Sequence, residues 1–557
     1  VKKSCVALLL FVLALGMLPM FQGKGTADAH HKLATDLANL VASGRNDVQS
    51  VIVQTYAPPG LSDTVAVISE GGTAKRTYTN LKAYCAQMPL SRVVRLAHNP
   101  NVQRVSLNHT VQRSLAWADI ATRTDVAWTD YGVSGKGIGI AVLDSGVQKR
   151  SDLDNRWTGW NDFVNNKRDF MDDNGHGTHV AGIAAGNGHA SDFFNYSVRF
   201  YGVAPAANVI GVKVLDSRGI GEESDVLAGI DWCIANKKRY NIRVINLSLG
   251  RPVVESYKTD PLCRAVEQAW AAGIVVVVAA GNRGRLDPEN PDSPPAYMTV
   301  DSPGNDPYVI TVGATNTRGT LSTTDDVMAS YSGHGPTAID HVLKPDLVAP
   351  GSRIVSLITP KQYLDTRYPE NRAYPFTYGG IGPVQYFVLS GTSMSAAMVS
   401  GAAALMLERD PTLTPDTIKA RLMASANKRV YNRDGTPTNI FIRGAGQLDV
   451  AAAMAHTGRI TCGRAWSPIV LRGAQAGLFL LSTQPFGGGN ALWSDNALWS
   501  DNAVWGDSVY WADPTLFGDN ALWSDNALWS DNALWSDNAL WSDGGIFSDS
   551  LTTSGEN

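Results

Sequence analysis

Cysteine is scarce, with five in 557 residues. So low and odd a count excludes a disulfide-scaffolded fold, and no Cys/His spacing suggests zinc. Cys5 and Cys85 fall in segments argued below to be removed. Cys233, Cys263 and Cys462 then allow one bridge at most, or serve as small buried side chains. Excess positive charge is also lacking. Lys+Arg is 47 against 51 Asp+Glu, a net charge of −4, so nothing points to nucleic acid. Long apolar runs are missing but for one, Val6 to Phe21. Its 16 residues include Pro19 and fall short of the ~20 that a spanning helix needs. Lys2-Lys3 precede it, and small residues ending Ala27-Asp28-Ala29 follow. That is the pattern of an export leader, residues 1–29, with a membrane anchor as the alternative.

One long stretch lacks Lys and Arg altogether. Residues 490–549 hold ten Asp and eight of the 15 Trp, so the remaining chain is net positive. Ten hexapeptides run there without a gap, most reading Asn-Ala-Leu-Trp-Ser-Asp. Six residues of helix turn through about 600°, which would spiral the aromatics around it. Six is even, so an extended chain places them on one side. Short β segments with Asp-Asn corners are therefore preferred over helix. The alternative is a flexible low-complexity tail. Residues 550–557 form a short terminal tail.

What is present is ordinary globular material, 44% apolar and 18% charged, enough for a large core. Val51–Gln54 and Val102–Val105 read as strands, with a helix over Leu90–Ala97, so residues 30–115 form a small α+β unit. From 116 to 457 the pattern becomes apolar strands followed by helices. Gly137–Leu143, Asn208–Leu215, Arg243–Leu247, Ile274–Ala280 and Tyr308–Val312 are the strands. Asp225–Lys237 and Leu262–Ala271 are helices between them. Strands apolar throughout are buried on both faces, which implies a parallel sheet. The expected fold class is α/β, a doubly wound and mostly parallel sheet whose ligands lie beyond the strands' carboxyl ends. Residues 458–489 read as a linker.

Three segments carry chemistry together. Asp144 ends a strand in Ala-Val-Leu-Asp144-Ser-Gly146. His176 and His179 lie in Asn174-Gly-His-Gly-Thr-His-Val-Ala-Gly182, where glycines permit close backbone approach. Ser393 lies in Leu389-Ser-Gly-Thr-Ser-Met-Ser-Ala-Ala397, opening an apolar helix whose N–H groups suit an anion. A serine hydroxyl needs a base to take its proton and a carboxylate to orient that base. Asn282, in Ala279-Ala280-Gly281-Asn282-Arg283-Gly284, follows the strand Ile274–Val278 and is a candidate donor to an oxyanion. The zincin spacing is absent from the two histidines. Either of them fits the base role on these grounds.

Taken together these motifs resemble the subtilisin (subtilase) family of serine proteases, whose triad runs Asp, His, Ser along the chain. The resemblance spans about 120–455, with a weaker match of 45–112 to an inhibitory pro-region. It implies Asp144 as the orienting carboxylate, His176 as base in preference to His179, Ser393 as nucleophile and Asn282 as oxyanion donor. It also implies that Ser248, Leu249 and Gly250 pair with extended substrate and wall the primary pocket, faced by Ala279, Ala280 and Gly281. Arg251 and Arg283 flank those walls, so large apolar P1 residues are expected to be preferred, with basic ones disfavoured relative to Glu.

Two departures stand out: Ala397 where the family often has Pro, and a Tyr/Pro-rich insertion at 361–384. No cofactor is required. Calcium is common in the family, and Asp169, Asp172, Asp173 and Asn174 form an oxygen-rich run, with a solvated loop as the alternative.

The implied function is a secreted serine endopeptidase acting on proteins or peptides, made as a zymogen and inhibited by its own pro-domain. The competing reading is a surface-binding protein that attaches to a surface or polymer through the repeat tail. An α/β-hydrolase esterase is disfavoured, because Gly391-Thr-Ser-Met-Ser395 is not Gly-x-Ser-x-Gly and the chain order is reversed.

Overall fold

The computed structural model describes residue 29 and residues 31–79, 82–107, 114–192, 195–320, 322–461 and 464–472, together with four short strands further on. Residues 1–28 of the expected leader, Cys462 and most of the repeat lie outside the described residues. The chain divides into two units, 1–111 and 112–557.

The first unit is an antiparallel sheet of β1 (Val48–Thr55), β2 (Thr73–Tyr78), β3 (Ala83–Pro89) and β4 (Val102–Leu107), in the order β2-β3-β1-β4. Val51 and Val53 point to one face and are fully buried, as period-two alternation requires. The helix Leu90–Ala97 buries Leu90, Val93, Leu96 and Ala97, one apolar stripe at helical spacing. Ala29 packs into this core as well.

The second unit carries the large sheet. Its strands are β5 (Gly139–Asp144), β6 (Trp157–Asp162), β7 (Asn208–Lys213), β9 (Ile242–Leu247), β11 (Val275–Ala279), β12 (Ile310–Asn316), β13 (Val327–Met328) and β14 (Leu347–Pro350). Two-residue strands β8 (Ile220–Gly221) and β10 (Leu249–Gly250) lie outside it. The order is β13-β12-β11-β9-β5-β7-β6, with β14 also on β12, and every pairing but β12–β13 is parallel. β5 and β11 are buried at every position, which is why they read as continuous apolar runs. The order reverses across β5, whose neighbours β7 and β9 both follow it in sequence. That makes the end of β5 a topological switch point, where doubly wound sheets place their ligands.

Two helix groups cover the sheet. The helices Glu223–Tyr240 and Pro261–Ala271 pack together, and His176–Ala185 packs on Thr392–Arg409. Thr392 to Leu407 is buried without interruption, so this helix runs through the core. Ala397 sits inside it, fully buried, and the first turn is intact without the family's proline.

The remaining strands form small sheets. β15 (Ile354–Leu357), β16 (Arg372–Ala373) and β17 (Tyr386–Leu389) pair in the order β15-β17-β16. Within the stretch read as a linker, β18 (Ile469–Arg472) and β19 (Leu478–Leu481) form an antiparallel hairpin. It is extended by β21 (Val509–Ala512) and β20 (Trp505–Gly506), from two irregular copies of the repeat. A last strand, β22 (Ile546–Ser548), completes a sheet of order β10-β22-β8. Among the described residues no helix is long and apolar enough to cross a membrane.

Candidate active site

Asp144 closes β5 and is fully buried. Its Oδ1 accepts the Ser145 N–H at 2.7 Å. Its two oxygens lie 2.7 and 2.9 Å from His176 Nδ1. An ionised carboxylate only accepts, so the imidazole proton resides on Nδ1 and Nε2 is the basic nitrogen. Nε2 is buried with no hydrogen-bond partner.

The approach of the two residues depends on Gly177. A Cβ there would stand 2.1 Å from the Gly146 carbonyl oxygen and 3.0 Å from Asp144 Cβ. The helix start is held by Asp172, which accepts from Gly175 N (2.7 Å), Thr178 N (2.8 Å), Thr178 Oγ1 (2.6 Å) and Ser145 Oγ (2.9 Å). Ser145 Oγ in turn accepts the Gly177 N–H at 3.0 Å.

The structure separates the two histidines. His179 Nε2 contacts the carbonyls of Phe387 (3.0 Å) and Ile354 (3.2 Å), so its proton ties the helix to β17 and β15. Burial, followed by the nearby His176, pushes its pKa down to about 3. His179 is a neutral structural residue and His176 is the one paired with a carboxylate.

Ser393 is the second residue of the helix Thr392–Arg409 and is fully buried. Its Oγ donates to the Ser248 carbonyl at 3.3 Å, and no hydrogen bond joins it to His176. Such bonds often form only with substrate in place. Ser248 Oγ donates to the Ser393 carbonyl at 3.0 Å and accepts from Asn246 Nδ2 at 2.9 Å. The turn that carries Ser393 and the end of β9 are thereby fastened together.

Asn282 Oδ1 accepts from Thr392 N at 3.0 Å and Thr392 Oγ1 at 3.2 Å. A backbone N–H can only donate, so the amide oxygen faces Thr392 and the NH2 is the donor end. Gly281 N donates to Thr392 Oγ1 at 3.1 Å.

The two expected pocket walls meet at a residue that sequence reasoning missed. A Cβ on Gly250 would lie 2.8 Å from Asp301 Cβ, and one on Gly281, at φ +95°, would lie 2.3 Å from Asp301 Oδ2. Asp301 is therefore wedged between the walls, and Arg283 donates to it. Burial pushes its carboxyl up, and Arg283 opposes that shift. Arg251 is likewise paired, with Glu223 at 3.1 Å and Asp260 at 3.2 Å. Neither arginine is a lone charge, so the expected bias against basic P1 residues loses its physical basis.

The oxygen-rich run does not fit a cation. Asp172 is saturated with N–H and O–H donors, and Asp173 holds Lys213 Nζ at 2.7 Å. Asn174 donates through its NH2 to Ser217 O, and its oxygen accepts from His176 N. Among the described residues no cluster of His, Cys, Asp or Glu suits a metal ion.

Parts of the Tyr/Pro-rich insertion pack against the body of the unit, while Phe376 and Ile381 stay exposed. Tyr363 N and Leu364 N donate to the carbonyls of Asp173 (3.2 Å) and Asn174 (3.0 Å), directly before His176. Tyr378 joins Phe200, Tyr196 and Tyr386 in an aromatic cluster. Cys85, Cys233 and Cys263 are buried thiols.

Besides Asp301, sequence reasoning missed Ser145, Thr392 and Asn246, which position the expected groups. Ser145 and Thr392 adjoin recognised residues in their motifs. Asp301 had no local signal.

A carboxylate-held imidazole, a serine at a helix start and a fixed amide are the groups a serine hydrolase requires. Comparison with known proteins gives the family. The subtilase family model matches residues 135–446, and the chain belongs to that family. Serine protease AprX of Bacillus subtilis is 41% identical over 63% of this chain and 74% of its own. Subtilisin E of Bacillus subtilis is 31% identical over 74% of this chain and 92% of its own. The thermostable alkaline protease of Halalkalibacterium halodurans is 32% identical over 61% and 76% respectively. Proteolysis by a serine enzyme is the activity these similarities support.

Proposed function

We propose that the chain is an exported serine endopeptidase that works through an acyl-enzyme and is made as a zymogen. The observation that carries this reading is the buried Asp144–His176 pair with an unpartnered Nε2, in the unit that also holds Ser393. In the reaction His176 Nε2 takes the Ser393 proton as Oγ attacks the substrate carbonyl. Asp144 holds the tautomer and stabilises the imidazolium. The Asn282 NH2 and the Ser393 N–H donate to the oxyanion. Ser248–Gly250 and Ala279–Gly281 flank the residue before the scissile bond. Residues 30–115 act as an inhibitor of the protease that follows them, and the leader 1–29 directs export. The repeat tail, on this reading, adds attachment or regulation rather than chemistry.

A fluorophosphonate probe on secreted protein, followed by peptide mapping and N-terminal sequencing, tests the reading. A label on Ser393 in a chain starting near 112 is the expected result. Failure to label folded protein would sink it.

Asn282→Ala is expected to lower kcat by about 10²–10³ with little change in KM, the size known for the corresponding donor in subtilisin itself. Steady-state kinetics on a chromogenic peptide checks this. Asp301→Ala removes from the pocket walls the carboxylate to which Arg283 donates. It should raise kcat/KM for P1 Glu relative to P1 Lys by about fivefold, the scale of a partly exposed ion pair. A P1 peptide series reads the ratio, and an unchanged ratio would remove Asp301 from the pocket.

A further inference from the structure

The catalytic unit contains a narrow slot between two short strands, β10 (Leu249–Gly250) and β8 (Ile220–Gly221). It lies beside the nucleophile, because Ser248, the residue before β10, accepts the Ser393 hydroxyl at 3.3 Å. Within the structure the slot is filled by the chain itself. β22 runs antiparallel to β10, with Leu249 opposite Ser548 and Gly250 opposite Phe547. It also runs antiparallel to β8, with Gly221 opposite Ile546 and Ile220 opposite Phe547. β10 and β8 meet only through this third strand.

The register has a direction. Going from Phe547 to Ser548, the partner changes from Gly250 to Leu249, one step nearer Ser248 and Ser393. A peptide laid this way advances toward the nucleophile in the N-to-C sense, as a substrate's acyl side must. The seated segment is one of three copies that depart from the common hexapeptide at four positions. Gly544-Gly545-Ile546-Phe547-Ser548-Asp549 replaces Asn-Ala-Leu-Trp-Ser-Asp. It brings a β-branched residue into the strand, with two glycines before it in sequence.

We propose that Ile546–Ser548 is an intramolecular occupant of the substrate slot, a pseudosubstrate held by main-chain pairing on both edges. The inference rests on the proteolytic reading, because the slot is a substrate site only if Ser393 is the nucleophile. Strand addition of this kind draws affinity from the backbone, so the occupant competes with any extended peptide. A tethered segment sits at an effective concentration in the millimolar range. An intrinsic affinity of roughly 0.1 mM would then raise the apparent KM about tenfold.

The test compares the full chain with Phe547→Pro and with a chain ending at Gly545. Proline removes the N–H of the one residue opposite partners on both edges. Each variant is expected to show KM about tenfold lower on a short chromogenic peptide, with kcat within twofold. A synthetic peptide of residues 544–557 should restore the higher KM competitively in the shortened chain. Hydrogen exchange gives a readout that needs no activity. Amides of 220–221 and 249–250 should be protected in the full chain and exchange faster in both variants. Equal KM values in all three chains, with equal exchange, would overturn the proposal and leave the protease reading intact. If no chain hydrolyses peptide, the protease reading falls, and exchange alone decides whether the strand is seated.

Discussion

Ser393→Ala is expected to reduce kcat on a chromogenic peptide by about 2 × 10⁶, the size that nucleophile loss has in subtilisin itself. The hydroxyl is the only group removed. Its one hydrogen bond, to the Ser248 carbonyl at 3.3 Å, is worth about 0.5–1.5 kcal/mol to stability. The Ser248 Oγ bond to the Ser393 carbonyl at 3.0 Å survives, so the helix start keeps its anchor and the protein should fold. The substitution therefore separates chemistry from structure. If the zymogen processes itself, the variant should also accumulate as a chain retaining residues 30–111 in a protease-free host. Activity within tenfold of the parent would mean that another group attacks the carbonyl. Normal maturation would mean that processing is done by a second enzyme.

The sheet was legible because its strands are buried on both faces, so Ile274–Ala280 and Arg243–Leu247 could be placed within a residue or two. The helix over Leu90–Ala97 was legible from Pro89 and its apolar stripe. The site was legible where its groups sit in glycine-framed motifs, as Asp144, His176 and Ser393 do. What escaped notice was pairing across distance in sequence. Arg283 and Arg251 looked like free charges because Asp301, Glu223 and Asp260 lie in other segments. The fully buried Lys344, Lys419 and Asp346 cluster, with Nζ–O distances of 2.7 and 3.2 Å, had no local signature either. Its Lys419 Nζ donates to the carbonyls of Pro307 and Val309 at 2.8 and 2.9 Å, holding the entry to β12.

The tail shows the same limit from the other side. Its hexapeptide period favoured extended segments, and the described strands β20, β21 and β22 all lie in irregular copies. Period alone could not say what those strands would pair with. β22 finds β8 and β10, two-residue strands outside the stretches read as strands. An edge that short has no sequence pattern, because main-chain N–H and C=O groups are the same at every residue. The partner is chosen by where the sheet's switch point leaves an unpaired edge.

Asp144→Asn is the sharpest test of how the imidazole is held. Substitution keeps the shape but gives the side chain an NH2 to place against the ring. The Ser145 N–H, 2.7 Å from Oδ1, can only donate, so it pins the amide oxygen at that position. The NH2 then takes the other position, where Oδ2 stands 2.9 Å from His176 Nδ1. The NH2 there competes with the amide oxygen, itself 2.7 Å from Nδ1, and the expected outcome is that Nδ1 becomes the acceptor and the proton moves to Nε2, as the corresponding substitution does in another serine protease. A protonated Nε2 cannot take the Ser393 proton. The expected loss is about 10⁴ in kcat, the size that the wrong tautomer causes in another serine protease. KM should stay within a fewfold, because no residue of the substrate slot is altered. Nitrogen NMR of the imidazole provides the readout that a merely structural role would not move. The proton should be on Nδ1 in the parent and on Nε2 in the variant. A variant with the proton still on Nδ1 and kcat within tenfold of the parent would show that Asp144 does not set the tautomer.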